Sequence, residues 1–426
     1  MKVYHVGGCV RDILLGLEYN DIDCVVVGST PEEMLSKDFK QVGSEFPVFL
    51  HPVSGDEWAL ARTEYSTGSG YQDFECSFGK DVTLEDDLLR RDLTVNAIAQ
   101  CTRSGEIIDF HGGRDDIRNK ILRHTSESFR DDPVRVLRLA RFYAKFCSEW
   151  TIAPETKSLC DEMYASGMLY GLTPERVWKE TEKALSTQQP SLFFDFLKDY
   201  TCLFPMTKGM ENTVEDNPHH PEANVWKHVS MVMEYAAKHF NDPEINWACY
   251  THDFGKDYCY QEHGNGHGHE QEGLPFIEEL CNEYKVPNNY RDLSLLVCEH
   301  HQKVHSCLGR GTNKGMKAKS IMRLFQQTNA LVKPERFEKI LKACRADAAG
   351  RGANTEQIKE FENKPYLQKE YLLECLEAAM LVNTKEVSLP AIEQGKSGIE
   401  IGELIRVARI DAIRGVQYKW KSKENK

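Results

Sequence analysis

Two aspartates, Asp21 and Asp23, flank Ile22 at the start of a β-branched run that continues to Val27. On a strand, residues i and i+2 point to the same side, so the two carboxylates sit together and a divalent cation relieves their repulsion. Mg²⁺ favours such oxygen ligands, completed by substrate phosphates. Two such cations can activate an attacking hydroxyl and stabilise a leaving pyrophosphate. Alone, an Asp-x-Asp is common and reads as a solvated acidic turn.

Three further segments carry compatible chemistry. Gly7-Gly8-Cys9-Val10-Arg11-Asp12 follows a short apolar strand. Paired glycines let backbone N–H groups approach a phosphate, the following helix offers its positive end, and Arg11 suits phosphate oxygens. In Glu85–Ala97 an acidic first turn precedes Arg90 and Arg91. Arg91 could bind a triphosphate there, with Asp92 or Asn96 fixing its orientation or a ribose hydroxyl. In Asp131–Arg141, Asp132 and Arg135 lie three apart on one helix face and together match the Watson–Crick edge of a base. Arg135, Arg138 and Arg141 recur every third residue along that face.

The second half has a different chemistry. His228 is followed by His252-Asp253 in CYTHDFGK, then by His267, His269, His300, His301 and His305, with Asp347 in RADAAGR. These seven are among nine of the chain's 15 histidines that fall in this stretch, a density that marks His252-Asp253 as functional. For His263, His267, His300 and His305 taken singly, a satisfied polar contact is the simpler role. Imidazole with carboxylate suits Ni²⁺, Mn²⁺ or Zn²⁺.

The elements that must position these groups change character along the chain. Val3–Val6, Ile22–Val27, Pro47–His51, Glu57–Arg62 and Glu106–Asp109 read as strands, and Leu84–Ala99 as a helix. Thr30 is a suitable N-cap with Pro31 behind it, and Thr67–Tyr71 is a loop. From about Ser126 the pattern is helical: Pro133–Phe146, Pro174–Leu185 and Ser191–Leu197. The polar stretch Met206–Pro221 reads as a linker. The fold class is α+β at the N-terminus and all-α beyond. The expected segments are residues 1–125, 126–205, a linker 206–225, 226–350 and a helical tail 351–426. With 426 residues, 41% hydrophobic and 28% charged, the chain is globular with several cores. A net charge of −13 argues against a protein that coats nucleic acid non-specifically and leaves room for local basic surfaces. Fourteen scattered cysteines without a metal-type pair, no leader-like opening and no apolar run near ~20 residues point to a cytoplasmic protein with reduced thiols.

The order and spacing of these motifs are more specific than any one of them. GGCVRD (7–12), DID (21–23), EDDLLRRDLTVNA (85–97), DDPVRVLRLARF (131–142) and LTPERVWKE (172–180) resemble the class II tRNA nucleotidyltransferases, the CCA-adding enzymes of the polymerase-β-like superfamily. VVVGSTPEEML (25–35) and FPVFLHP (46–52) look like the bacterial members that carry a C-terminal HD domain. The resemblance implies a nucleotidyltransferase head, a helical neck and body, and tRNA, CTP and ATP as partners. It implies that Asp21 and Asp23 hold Mg²⁺, that Gly8, Arg11 and Arg91 contact the triphosphate, and that Arg138 and Arg141 help bind the nucleotide. Asp132 and Arg135 would recognise CTP or ATP, so that the protein acts as the template, with a flexible loop at about Arg62–Tyr71.

The His…His-Asp…Asp order resembles the HD phosphohydrolases. That implies His228, His252, Asp253 and Asp347 as primary metal ligands, with Ni²⁺ or another transition metal, and His269 and His301 for a second metal or for phosphate. Phosphatase, 2′-nucleotidase and 2′,3′-cyclic phosphodiesterase activities go with such a domain, and a homodimer is compatible with it. Three positions depart from the pattern. Asp131 replaces a Glu, Gln302 replaces an Asp, and Asp109-Phe110-His111-Gly112-Gly113 lacks a proline that would stiffen the turn. Two alternative readings are a poly(A) polymerase of the same superfamily and an HD-type hydrolase with an RNA-binding N-terminal module.

Overall fold

The computed structural model describes all residues except 20–21, 43–47, 67–73, 216–219, 310–314 and 425–426. It divides into two compact units: 1–184 with 192–204, and 185–191 with 205–426.

The first unit is built on a mixed sheet. Its strands are β1 (Lys2–Val6), β2 (Asp23–Val27), β3 (Lys40–Val42), β4 (Val48–Leu50) and β5 (Glu57–Leu60), and further along β8 (Ile98–Cys101) and β9 (Ile107–Asp109). Between them β6 (Arg62–Ser66) and β7 (Phe74–Phe78) form a separate antiparallel pair. The sheet order is β3-β4-β5-β2-β1-β8-β9, and only the β2–β5 pairing is parallel. The unbroken apolar run of β2 has its reason here, because a central strand is covered on both faces. Val25 packs with Tyr4, Val6, Leu84 and Leu88, while its neighbour Val26 faces the other way onto Met34, Phe39 and Phe49.

The segment expected as one helix over Leu84–Ala99 is broken. Thr83 and Asp86 form a capping box that starts a helix at Leu84, and this helix ends at Leu89. Beyond it the Asp92 carboxylate accepts from the backbone N–H of Leu93, a local bond that competes with helix continuation. A 3₁₀ turn at Thr94–Asn96 then leads into β8. The turn after β9 holds without proline, since Asp109 accepts from the backbone N–H groups of His111, Gly113 and Arg114 at 3.2, 3.0 and 2.8 Å. Helices Val134–Phe146, Pro154–Ala165 and Pro174–Leu185 follow.

The second unit is helical. Val225–Phe240, Pro243–Thr251, Gly255–His263, His269–Glu283, Asn288–His305 and Pro334–Ala349 surround its polar centre, and Asn224 caps the first of these through Lys227 N. The expected linker is structured where it is described. Pro205–Asn212 is a helix, and Val214 pairs with Asn224 in an antiparallel bridge. Buried Met210 and a hydroxyl contact between Thr207 and Tyr250 anchor that helix. Among the described residues no helix is long and apolar enough to cross a membrane.

Candidate active sites

In the first unit β1 ends at Val6 and the chain turns at Gly7 into the helix Gly8–Leu15. Gly7 has φ 74° and ψ −130°, and a Cβ there would stand 2.9 Å from Arg91 Nη1. A glycine is required on both counts. Asp23 opens β2 directly opposite Val6, which sets its carboxylate beside this turn.

A cavity of about 720 Å³ opens here. Gly8, Arg11, Asp23, Arg91, Asp132, Arg135, Arg138 and Arg141 all line it, so every described residue expected to serve nucleotide transfer meets in one place. Asp21 lies outside the described residues, as do Thr67–Tyr71 of the expected loop. Eleven arginines and lysines line the wall against four carboxylates. In a chain of net charge −13 that concentration of positive charge fits a polyanion.

The four carboxylates are not equivalent. Asp92 pairs with Arg138 at 2.7 Å, Asp132 with Arg176 at 2.7 Å and Glu180 with Arg141 at 2.5 Å. Among the described residues Asp23 has no ion-pair partner, is exposed, and is the one free to take a cation. Burial would raise the Asp92 pKa, but Arg138 and Asn96 outweigh it and hold the carboxyl well below its usual range. Asn96 donates to Asp92 at 3.0 Å and accepts from Arg11 at 2.5 Å. Arg11 also grips Asp12 and lies over the Phe142 ring, so a chain of partners sets its orientation. Arg135 donates to the carbonyls of Ser128 and Arg90 at 2.8 and 2.7 Å. To read a base, Asp132 and Arg135 must therefore exchange partners. The sequence reading left out Arg176, Lys179, Glu180 and Lys183, which reach the cavity from the helix Pro174–Leu185. Their spacing of three and four was the available signal.

The centre of the second unit is a buried cluster. His228, His252 and Asp347 place ligand atoms within 4.8 Å of one another, and so do Asp253, His269 and His301. All six expected residues are thus together. His228 Nε2 lies 3.2 Å from Asp347 and 3.8 Å from Asp253, and His269 Nε2 lies 3.2 Å from Asp253. Each Nδ1 faces a backbone carbonyl: His228 that of Gly350, His252 that of Cys249, His269 that of Gly266 and His301 that of Cys298, at 2.7–2.9 Å. A carbonyl can only accept, so Nδ1 carries the proton; this turns Nε2 of His228 and of His252 inward with its lone pair, while His269 and His301 meet Nε2 to Nε2 at 3.1 Å.

His228 Nε2, His252 Nε2 and Asp253 Oδ2 are buried without a hydrogen bond. The two orphaned ring nitrogens are costly, and a metal ion satisfies both, so the donor set fits one; Asp253 Oδ2 already stands 3.0 Å from the Lys256 ammonium. Burial drives His301 well below its ordinary value.

A cavity of about 1010 Å³ adjoins this cluster, lined by His269, Lys256, His305, Arg351 and Tyr366 among others. His305 is one of the histidines set aside from the sequence; it bridges Asp347 at 2.6 Å and the Tyr366 hydroxyl at 2.8 Å. Gln302 lines the same cavity. His220 and Glu222, hidden in the presumed linker, are buried beside His228.

The first unit thus holds a cation-lined cavity around an unpaired carboxylate, and the second holds buried groups that could bind a metal ion. A family model for the poly A polymerase head domain matches residues 3–123, and one for the HD domain matches 225–322. The chain is 44% identical over 425 residues to a multifunctional CCA protein of Shewanella frigidimarina, covering 98% of each, and it belongs to that family. Two solved structures share the fold. One is an apo CCA-adding enzyme (22% identity, 99% of this chain and 92% of that one, TM-score 0.62). The other is a CCA-adding enzyme with CTP (19%, 100% and 92%, TM-score 0.60).

Proposed function

We propose that the first unit adds and repairs the 3′-terminal CCA of tRNA from CTP and ATP, releasing pyrophosphate. The observation that carries this is Asp23, among the described residues the one unpaired carboxylate in a cavity whose other charged lining is cations and ion-paired acids. Mg²⁺ held by Asp23, with Asp21 as its partner in sequence, would supply Lewis-acid assistance to phosphoryl transfer. Gly8, Arg11 and Arg91 bind the triphosphate. Arg138 and Arg141 bind the nucleotide, and Asp132 and Arg135 read its base once released from Arg176 and from the Ser128 and Arg90 carbonyls.

The second unit hydrolyses phosphate monoesters and 2′,3′-cyclic phosphates, which suits removal of blocking groups from an RNA end. His228, His252, Asp253 and Asp347 would hold Ni²⁺ or another transition metal, and His269 and His301 a second ion or the phosphate. A chain with fourteen cysteines and no disulfide among the described residues is read as one of a reducing, cytoplasmic setting.

Labelled CTP and ATP with a tRNA lacking CCA test the reading. The wild type should give three defined additions. Asp23→Ala should give none while retaining hydrolysis of a 2′,3′-cyclic nucleotide. A long A tail would instead identify a poly(A) polymerase, and undiminished incorporation by Asp23→Ala would remove Asp23 from the site.

A further inference from the structure

His220, Glu222 and His228 bring three ligand-type atoms within 4.8 Å of one another, yet they are not a third metal site. His228 faces this group through Nδ1, which already donates to Gly350 O at 2.9 Å, and a ring nitrogen that carries a proton cannot bind a metal. The arrangement is instead a chain of contacts leading to the metal-facing nitrogen on the other side of the ring.

Glu222 is its hub, with a side chain at 0% exposure. Oε1 lies 3.3 Å from His228 Nδ1 and 2.8 Å from His220 Nδ1. Oε2 accepts from the backbone N–H of Gly352 at 3.2 Å, in the turn that follows the helix bearing Asp347. One carboxylate therefore touches the His228 ring and the chain just beyond Asp347, whose metal-facing atoms are 3.2 Å apart.

The local backbone holds Glu222 in this position. Ala223 adopts a left-handed φ of 58° without being glycine, a conformation that persists only when its surroundings impose it. Its N–H donates to His220 O and its carbonyl accepts from Glu215 N. Glu215 in turn holds Lys256 at 2.7 Å, and Lys256 lies 3.0 Å from Asp253. The residues on either side of 216–219 thus brace both halves of the cluster. His220, Glu222 and Glu215 all precede the HD match at 225–322.

We propose that Glu222, backed by His220, is a positioning residue of the metal centre that holds the rotation of the His228 ring beside its bond to Gly350 and ties the Asp347 turn to it. Mutating a group that hydrogen-bonds a ligating histidine typically changes metal affinity about 10–100-fold. The proposal rests on the reading of the cluster as a metal centre, and the test separates the two.

The full chain is stripped with a chelator and titrated with Co²⁺. Affinity is read by chelator competition and ligand geometry by visible absorption, with far-UV circular dichroism as the check on folding. Glu222→Ala should bind Co²⁺ about 10–100-fold more weakly with an altered band. Glu222→Gln, which keeps the shape and one acceptor, should recover part of the affinity. If Glu222→Ala does not fold, Glu222→Gln decides by the same two readouts. A folded variant with wild-type affinity and spectrum overturns the positioning role alone. A wild type that takes up no Co²⁺ overturns the metal-centre reading, and the proposal with it.

Discussion

Replacing Asp92 by Asn probes the network that sets the nucleotide cavity. The carboxylate is 6% exposed and takes both Arg138 Nε at 2.8 Å and Nη2 at 2.7 Å, while its other oxygen accepts from Leu93 N and Asn96 Nδ2. An Asn keeps the second set and turns an amide N–H₂ toward the guanidinium, so a bidentate charged pair becomes a clash of donors. Removing one partner of a fully buried pair costs about 3–5 kcal/mol. The Arg138 side chain is 36% exposed and water relieves part of the loss, which leaves about 2–3 kcal/mol. For a unit of about two hundred residues that lowers the first unit's thermal transition by about 4–12 °C. Differential scanning calorimetry at pH 7 measures it.

The folded-state pKa of Asp92 is depressed, so its contribution is present above the unfolded carboxylate value and is lost as pH falls through the folded one. The gap between wild type and variant should therefore shrink below about pH 4. Because Asn96 links Asp92 to Arg11, KM for CTP should rise as well. A variant within 1 °C of wild type at pH 7, or a gap that widens on acidification, would refute the reasoning.

Gly7→Ala should lower kcat/KM for CTP by about tenfold or more, since the backbone strain alone is about 1–3 kcal/mol and the new methyl displaces Arg91. Steady-state incorporation checks this, and full activity would show that the turn tolerates a side chain. Glu234→Gln should stabilise the second unit. Burial raises the Glu234 carboxyl to about 7 despite a hydrogen bond from Ser191, so the folded state holds its proton more tightly and loses stability as pH rises from about 4.5 to 7. The variant should gain about 1–3 kcal/mol at pH 8 and almost nothing at pH 4, as followed by urea unfolding at the two pH values. An equal gain at both would disprove the assignment.

The head sheet and the site motifs were legible because their signals are local. A β-branched run such as Val25–Val27 has few uses other than a covered strand, whereas Gly7-Gly8 alone is more often just a turn and points to an anion only in the company of Arg11 and the later motifs. Leu84–Ala99 was misread because its helical propensity is real as far as Leu89. What ends the helix is a carboxylate, Asp92, engaged by an arginine 46 residues further on. His220 and Glu222 were missed because a polar stretch rich in Asn, Pro and His carries no periodicity, and only burial against His228 distinguishes it from a linker.

The sequence by itself determined which chemistry is available: a carboxylate for a cation, arginines for phosphates, and imidazoles with aspartates for a metal. Only the tertiary structure decided how each group is used. Among the described residues four carboxylates line one cavity, and three of them are neutralised by arginines distant in the chain, which leaves Asp23. Four histidines surround two aspartates, and backbone carbonyls choose which nitrogen of each is free. Residue type and spacing set the donors and acceptors a chain can offer, whereas pairing and protonation depend on neighbours brought within 3 Å by folding.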